Sequence, residues 1–502
     1  MDVRAGPRYN GPMKRWPALA ILFTLSCGGP TAEDLAGPRP PNIILISIDT
    51  LRADRLGVHG YERATTPHID AFAREAVRFS NAVSQAPTTA PAHMSIFTGL
   101  MPAVHRVSNI HAGPPQALDP GIPTLTELLR DAGYYTAGFH GGGNIDGSLG
   151  FERGFDFYSQ DYVSYNWMGA YHDPADLDAI RAWLRIARGR GKPLFLFLHH
   201  YVCHSPYISA PEAFRDRFLA GRAVEGLPRG PGDAEKQRMA ELLDRRTGGR
   251  AKRLLQWGMF RETHDRFWKG VDLGRVDHHA HITALYDAQV AYSDWLIGRV
   301  VRMLRQEKVY DDSLIVILSD HGEEFGEHGG REHEQLFVET LHVPLLIRFP
   351  DRAGIRPRAV ERMVRTMDVM PSLFEHLDLA ADFPHQGQSF LPLLGGQGSY
   401  DPPMVSYDDR DFHRVRLVRD GLVYTNQHNP MANEWLFDAA QDPAERSNLA
   451  AERPADLERM RRLADDQRRA DIDFLSTLRG SRREPRIDPA LLEQLRQLGY
   501  VR

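Results

Sequence analysis

The sequence predicts an α/β fold in which helices flank a large, mostly parallel sheet, with shorter strands toward the C-terminal end. Three continuous apolar runs support this prediction: Pro41–Ile48, Pro193–Leu198 and Ser313–Leu318. Strands that are covered by helices on both faces show such runs, and parallel strands are usually covered in this way. Ligands of open α/β sheets bind outside the carboxyl ends of the strands, so the residues after these runs are the expected site.

Amphipathic helices and a further strand separate these runs. The predicted helices are Ile122–Ala132, ended by Gly133, then residues 175–189 and Ala284–Gln306, while Tyr134–Phe139 is a short strand. Shorter strands follow from about residue 400, and Leu491–Tyr500 is predicted to form a final helix. The order of elements is therefore that of one large domain followed by a smaller one.

Composition narrows the class of protein. The chain has 502 residues, of which 42% are hydrophobic and 25% charged, as in globular domains. The formal net charge is -5, so nothing in the charge balance predicts a nucleic-acid partner. The length allows a large domain with a smaller companion.

The first residues have the pattern of an export signal. Met13-Lys14-Arg15 precedes an apolar run, Trp16 to Leu25, that is too short to span a membrane. Cys27 follows in a segment that resembles a bacterial lipobox, in which the cysteine is lipidated. We therefore expect a signal peptide over 1–27, a tether over 28–40 and an extracytoplasmic protein, anchored through Cys27 in the bacterial periplasm or at the cell surface. Plain secretion and a cytosolic protein with an incidental apolar start are the alternatives.

The segment most informative about function is Thr89-Ala-Pro-Ala-His-Met-Ser-Ile-Phe-Thr-Gly99. It resembles the nucleophile segment of the sulfatase family, in the alkaline phosphatase superfamily, where Cys or Ser stands first, Arg fifth and Thr-Gly last. Here Thr89 stands first and His93 fifth. The segment is also similar to that of nucleotide pyrophosphatase/phosphodiesterases, whose nucleophile is a threonine. A plain turn with Thr89 as a helix N-cap is the alternative interpretation.

The resemblance implies a metal-assisted threonine nucleophile. Sulfatases oxidise their Cys or Ser to formylglycine, but threonine does not undergo that conversion, so no formylglycine is expected. A hydroxyl attacks well near neutral pH only when a base or a metal stabilises its oxyanion. By the resemblance Asp49, Asp320, His321 and Thr89 would bind a divalent cation, which could be Zn, Mn, Ca or Mg. Sulfatases have Asp-Asn where this chain has Asp320-His321, whereas related phosphonate and phosphate ester hydrolases have Asp-His.

Several histidines match family positions that contact the substrate. His204, or else His93, would protonate the leaving group, and His333 rather than His328 would take the place of a catalytic Lys and bind the transferred oxyanion. His140, in a glycine-rich loop, and His199 would bind the substrate. A second metal on His204 and His333 would need a further Asp that the sequence does not reveal. The alternatives are a glycine-rich turn at His140 and buried, backbone-satisfied histidines after the second apolar run.

The resemblance extends over residues 41–207 and 284–450. It implies a large mixed, mostly parallel sheet flanked by helices in a sulfatase-like catalytic domain over 41–398. A small antiparallel C-terminal subdomain with a tail helix would follow over 399–502, where Trp435–Asp438 resembles the small antiparallel sheet that closes sulfatases. Residues 209–280 match least and are interpreted as a variable helical insertion. They would either form the edge of the site or be a solvent-exposed helical addition.

The sequence thus predicts a metal-dependent sulfatase-family hydrolase that cleaves a phosphate or phosphonate ester through Thr89. The substrate would be a small-molecule, glycan or lipid ester, with no nucleic acid involved, and the membrane would be contacted only through the lipid anchor at Cys27. The alternatives are a sulfuric ester hydrolase, a phosphotransferase and a catalytically inactive binding lipoprotein. Asp49, Asp320 and His321 argue against the last of these, since an abandoned site would lose its metal ligands first.

Overall fold

The computed structural model describes residues 40–109, 116–159, 175–236, 238, 261–381, 383–395, 399–427 and 433–478. The predicted signal peptide at 1–27, the tether up to residue 39 and the predicted tail helix Leu491–Tyr500 lie outside these residues.

A nine-stranded sheet forms the centre of the fold. The strands that precede the C-terminal sheet are β1 Asn42–Ile48, β2 Val77–Val83, β3 Tyr135–Phe139, β4 Phe157–Ser159, β5 Leu194–His200, β6 Ser313–Leu318, β7 Glu324–Phe325, β8 Arg331–Glu332, β9 His342–Arg348, β10 Arg358–Val360 and β11 Val364–Arg365. The sheet order is β10-β2-β9-β6-β1-β5-β3-β4, with β11 also paired to β2, while β7 and β8 form a separate hairpin. Only β9 runs antiparallel to its neighbours, so the predicted mixed, mostly parallel sheet is confirmed.

Helices cover both faces of this sheet. They are α1 Pro67–Ala73, α2 Thr89–Thr98, α3 Pro102–His105, α4 Leu125–Asp131, α5 Ala175–Arg188, α6 Glu212–Leu219, α7 Val276–Gln306, α8 Val338–Leu341, α9 Val369–His376, α10 Leu391–Gly395 and α11 Pro454–Thr477. Alternate residues of β1 enter two different apolar layers: Ile43 packs with α2, α4 and α9, and Ile44 packs with α1, α5 and α7. Burial on both faces is the reason that this strand is a continuous apolar run.

Two helix starts differ from the sequence interpretation. Helix α4 begins three residues later than predicted, because Thr124 and Glu127 form a reciprocal capping box that fixes its first turn. Helix α7 begins at Val276, eight residues before the predicted start. The added turns bury His278 and His281, polar residues that gave no apolar signal in the sequence.

The C-terminal part is an antiparallel sheet followed by a helix. Strands β12 Met404–Asp408, β13 Asp411–Arg419, β14 Leu422–Asn426 and β15 Glu434–Asp438 pair in chain order. The sequence interpretation did not include α11, whose buried residues are only Met460, Ala464 and Asp471, so its apolar stripe is narrow. Among the described residues there is no helix both long and apolar enough to cross a membrane.

A buried ion pair joins β11 to the start of α9. Arg365 Nε lies 2.8 Å from Asp368 Oδ2 and its Nη2 lies 2.7 Å from Oδ1, and both side chains are almost fully buried. This bidentate geometry satisfies two charges that are costly to bury separately.

We expect Asp368→Ala to lower the free energy of unfolding by about 3–5 kcal/mol, because it leaves the Arg365 guanidinium buried without its carboxylate. Equilibrium urea unfolding followed by circular dichroism measures this change. The control is Glu262→Ala, which breaks an exposed ion pair with Arg266 and should change stability little. Equal effects of the two variants would contradict the prediction.

Candidate active site

The carboxyl ends of four neighbouring strands bring the predicted site residues together. Asp49 follows β1, Asp320 and His321 follow β6, His199 lies at the end of β5, and His140 follows β3. The register pairs Ser47 of β1 with His199 on one side and with Leu318 on the other, so these ends lie at the same level of the sheet. All five side chains are buried.

Helix α2 brings Thr89 to the same point. Thr89 is its first residue, and the Thr89 hydroxyl donates to Asp49 Oδ2 at 3.2 Å and lies 3.3 Å from His321 Nε2. The side chain is 1% exposed. Its backbone N–H makes no hydrogen bond with the described residues and stands at the positive end of the helix dipole, which favours an anionic oxygen there.

Asp49, Asp320 and His321 could hold a metal ion. One ligand atom from each lies within 4.8 Å of the others. Asp49 Oδ1 and Asp320 Oδ2 are buried and have no hydrogen-bond partner among the described residues. His321 Nδ1 lies 3.0 Å from the Gly322 carbonyl oxygen, and donating to it leaves Nε2 with a lone pair for a cation. Two carboxylates and an imidazole suit a hard or borderline divalent ion.

The two carboxylates have opposite protonation preferences. Burial alone would raise the pKa of Asp49, but His199, His321 and His204 lower it below its usual value. Burial, together with the charge of Asp49, raises the pKa of Asp320 well above its usual value. Two carboxylates in one buried site repel each other unless a positive charge lies between them. This conflict is what a divalent cation would relieve.

Thr50 follows Asp49 directly at the end of β1. Its φ is +55°, an uncommon conformation for a β-branched residue. Its N–H lies 3.4 Å from Asp320 Oδ1, and its carbonyl accepts a 2.6 Å hydrogen bond from the Tyr286 hydroxyl. The strained backbone thus links the ends of β1 and β6 without adding a charge.

His93 is hydrogen-bonded at both ring nitrogens. Nδ1 lies 2.9 Å from the Thr89 carbonyl oxygen, to which it can only donate, and Nε2 lies 2.8 Å from Ser47 Oγ, from which it then accepts. Burial, with the charge of His199, lowers the pKa of His93 to about 3. His93, His199 and Asp320 also lie within 4.8 Å of one another, but in this tautomer His93 keeps no lone pair for a cation. The geometry favours His93 as a support of Thr89 over the alternative role of leaving-group acid.

His204 and His333 form a pair beside the carboxylates. Their Nε2 atoms are 3.2 Å apart, and the His333 ring centroid lies 4.5 Å from that of His321. His204 Nδ1 donates to the Ser205 carbonyl at 2.6 Å, and burial together with His204 lowers the pKa of His333 to about 3. These two rings are only half-buried, which places them at the open side of the site.

His328 lies elsewhere. Its Nδ1 contacts Glu339 Oε1 at 2.6 Å, its Nε2 contacts the Glu445 carbonyl oxygen at 2.6 Å, and its ring stacks on Phe337. Of the two histidines considered for the position of the catalytic lysine, His333 is the one that lies beside His204 and His321.

The two predicted substrate-binding histidines, His140 and His199, are more deeply buried than His204 and His333. His199 Nε2 is 3.5 Å from Asp49 Oδ2, and its ring lies 4.8 Å from that of His93. His140 Nδ1 accepts from the Gly142 N–H at 3.0 Å. Neither nitrogen of His199, nor His140 Nε2, has a hydrogen-bond partner among the described residues. Each therefore has an unsatisfied buried nitrogen for a ligand.

Sequence reasoning missed three residues that hold Thr89 and its helix. The first is Ser47, which is hydrogen-bonded to His93. The second is Asn109, whose Oδ1 accepts from the Ala90 N–H at 2.8 Å, and the third is Asp409, which binds both Thr88 and Asn109. A serine inside an apolar strand was a weak local signal for the first. Asp409 is 321 positions from Thr88, and no local pattern connects them.

A cavity of about 750 Å³ is lined by Glu332 and Glu334, the sequence neighbours of His333, together with Arg410 and Arg414 of the C-terminal part. Trp268 and residues 271–274, inside the predicted insertion, also line it. Glu332 Oε1 accepts a 3.0 Å hydrogen bond from Ser205 Oγ, which connects the cavity wall to the residue after His204.

Known proteins resemble this chain over most of its length. The sulfatase family model matches residues 41–379, and the model of the C-terminal part of N-sulphoglucosamine sulphohydrolase matches residues 326–466. Among characterised relatives, an ulvan-active sulfatase of Formosa agariphila is 24% identical, over 86% of this chain and 82% of its own. A choline-sulfatase of Rhizobium meliloti is 26% identical, over 82% of each chain. The multifunctional alkaline phosphatase superfamily protein PehA of Trinickia caryophylli is 26% identical, over 82% and 91%.

Solved structures share the fold. The phosphonate monoester hydrolase of Agrobacterium radiobacter has a TM-score of 0.59 at 20% identity, over 87% of this chain and 96% of its own. A protein bound to its substrate D-glucosamine-2-N,6-O-disulfate has a TM-score of 0.64 at 20% identity, over 89% and 100%. A family model that spans residues 41–379 covers well over half of the chain, and so the chain belongs to the sulfatase family of ester hydrolases, in the alkaline phosphatase superfamily.

Proposed function

We propose that this protein hydrolyses a phosphate or phosphonate ester through a covalent intermediate on Thr89. The observation that carries the proposal is the position of the Thr89 hydroxyl, 3.2 Å from Asp49 Oδ2 and 3.3 Å from His321 Nε2, within a buried set of residues suited to a divalent cation. A hydroxyl beside such a set can act as a nucleophile near neutral pH.

Thr89 would attack the phosphorus atom. Asp49, whose pKa is lowered, is ionised and accepts the hydroxyl hydrogen bond that orients the Thr89 oxygen. A divalent cation held by Asp49, Asp320 and His321 would supply positive charge against the charge that develops on the attacking and non-bridging oxygens. His333 and the Thr89 N–H would donate to those non-bridging oxygens. The Thr89 hydroxyl proton passes to Asp49 Oδ2, to which it is hydrogen-bonded, as the bond from Thr89 oxygen to phosphorus forms and the bond from phosphorus to the alcohol oxygen breaks.

His204 would complete both halves of the reaction. It gives its Nε2 proton to the leaving alcohol, and the neutral ring then accepts a proton from the water that attacks phosphorus. The second step breaks the bond between Thr89 and phosphorus, and Thr89 takes its proton back from Asp49. The half-buried position of His204 suits a group that must meet both an alcohol and water. With an alcohol in place of water, the same steps would give phosphotransfer.

Sulfate ester hydrolysis is the second candidate. It is favoured by relatives such as the ulvan-active sulfatase and the choline-sulfatase. Threonine speaks against it, because a threonyl sulfate has no aldehyde hydrate from which sulfate could be eliminated and would need a second attack at sulfur. The similarity to PehA and the fold shared with phosphonate monoester hydrolases are compatible with phospho-ester chemistry.

The alcohol part of the substrate would occupy the cavity beside His333. Its volume of about 750 Å³ accommodates a sugar or an aryl group, and its wall carries both acidic and basic side chains. Such a lining suits a polar alcohol. Lipidation of Cys27, which would hold the enzyme outside the cytoplasm, is part of the same proposal.

The metal set gives a first prediction. We expect the protein, dialysed after loading with Zn or Mn, to retain about one equivalent by elemental analysis, and Asp49→Asn or Asp320→Asn to retain less than about a tenth of that. The control is His59→Gln, a histidine outside the set. Equal retention in all four proteins would show that the ligands have been misassigned.

The nucleophile gives a second prediction. Thr89→Ala should lower kcat for an aryl phosphodiester or phosphonate monoester by at least about 10³-fold, because the covalent route is lost. Initial rates of the metal-loaded protein measure this, with Thr98→Ala, at the far end of the same helix, as the control. Full turnover by Thr89→Ala would remove Thr89 from the mechanism.

The nature of the transferred group gives a third prediction. Acid quenching during turnover, followed by mass spectrometry of the peptide containing Thr89, should reveal phosphothreonine with a phosphate ester. The same peptide from enzyme without substrate should carry an unmodified threonine. It should not react with a hydrazide, a reagent for aldehydes, because no formylglycine is expected. A sulfated Thr89 formed from an aryl sulfate, without phosphothreonine from any phospho-ester, would favour the second candidate.

A further inference from the structure

The turn that precedes Thr89 is held from the other end of the chain. Asp409 lies in the turn between β12 and β13, and its Oδ1 accepts from the Thr88 hydroxyl at 2.8 Å. Its Oδ2 accepts from the Asn109 N–H at 2.9 Å, and Asn109 Oδ1 accepts from the Ala90 N–H at 2.8 Å. Asp409 is therefore connected to the residues on both sides of the nucleophile.

We infer that Asp409 is a positioning residue that sets the orientation of Thr89 for attack. The inference rests on the proposed role of Thr89 as nucleophile. Asp409 has no place in the chemical steps themselves, since its carboxylate is occupied by Thr88 and Asn109. It acts on Thr89 through the two neighbouring residues.

The start of α2 explains why this support is needed. An α-helix leaves its first N–H groups without partners, and the N-cap side chain usually satisfies one of them. Thr88 is the N-cap of α2, but its side chain makes no capping bond and binds Asp409 instead. The amide of Asn109 binds the Ala90 N–H in its place. The first turn of the nucleophile helix is thus held by Asp409 and Asn109 rather than by its own cap.

Neighbouring residues of β12 support the same turn. The Tyr407 N–H donates to the Gln85 carbonyl at 2.9 Å, and the Ser406 hydroxyl donates to the Ser84 carbonyl at 2.5 Å. These bonds hold the segment before Thr88 against the C-terminal sheet, but none of them reaches the helix itself. Asp409, in contrast, binds Thr88, the N-cap residue of α2.

The hydrogen bonds of Asp409 to Thr88 and Asn109 are shielded from water. Its side chain is 6% exposed, and those of Thr88 and Asn109 are 7% and 5% exposed, so water cannot easily replace the lost acceptors. Thr89 must keep its oxygen within hydrogen-bond reach of Asp49 while attacking along a defined line. A displacement of about 1 Å can cost about 10²-fold in rate.

Asp409→Ala is the direct test. We expect kcat to fall by about 10- to 100-fold with KM and metal content unchanged, because the substrate and metal contacts remain while the nucleophile loses its alignment. Asp409→Asn should recover most of kcat, because its oxygen can accept from the Asn109 N–H and its amide can donate to the Thr88 hydroxyl. Such rescue by the isosteric variant is not expected if Asp409 acts only through its charge.

Hydrogen exchange supplies a readout that does not depend on activity. In Asp409→Ala the amides of the peptide 86–98 should exchange at least about tenfold faster than in the wild type, because Thr88 and Asn109, whose amide oxygen accepts from the Ala90 N–H, are no longer held by Asp409. The control is Asp471→Ala, which removes another buried carboxylate of the C-terminal part, bonded to the Tyr407 hydroxyl at 2.6 Å. That variant should be destabilised but should keep its kcat and its protection at 86–98.

The outcomes separate the two proposals. Faster exchange only in Asp409→Ala, with its fall in kcat, supports the positioning role. Unchanged protection and kcat in Asp409→Ala, in an enzyme whose turnover requires Thr89, would overturn that role alone. Equal losses in Asp409→Ala and Asp471→Ala would also overturn it, since they indicate general destabilisation. Turnover by the wild type that does not require Thr89 would instead overturn the proposed function, while the exchange result would still decide whether Asp409 holds the turn.

Discussion

The structure depends on the approach of two buried carboxylates, Asp49 and Asp320, at the ends of adjacent strands. Parallel pairing of β1 with β6 brings their side chains within reach of one cation, and one oxygen of each has no hydrogen-bond partner among the described residues. Burial and the charge of Asp49 raise the pKa of Asp320, whereas the neighbouring histidines, His199 first, lower that of Asp49. A cation between the two carboxylates would balance their charge.

The other site residues follow from that constraint. His321 continues the strand end that carries Asp320, and its hydrogen bond to Gly322 fixes the tautomer that leaves Nε2 toward Thr89. Thr50 adopts a strained left-handed conformation between the two strand ends instead of adding a third carboxylate. Thr89 then meets Asp49 and His321 at the N-terminus of a helix whose alignment depends on residues outside the sheet. The site is thus assembled from strand ends that supply ligands and a helix that supplies the hydroxyl.

Much of the fold was predictable because local patterns are strong where strands are buried on both faces. The ends of those strands also indicated Asp49, His199, Asp320 and His321. The hydrophobic pattern did not predict α11, because only a narrow stripe of that helix is buried. It also did not predict the first turns of α7, because the residues buried there are polar. The structure also adds to the choice between His93 and His204 as leaving-group acid, because both ring nitrogens of His93 are hydrogen-bonded.

By itself the sequence determined the family, the sheet of buried strands and the residue types of the site, because these are encoded in short segments such as Thr89–Gly99 and Ser313–Gly322. Only the tertiary structure decided which histidines meet, and how Thr89 is held. The pairing of His204 with His333 and the contact of Asp409 with Thr88 join segments 129 and 321 positions apart. Such contacts are determined by packing of the sheet, the helices and the C-terminal strands together, and no local periodicity carries that information.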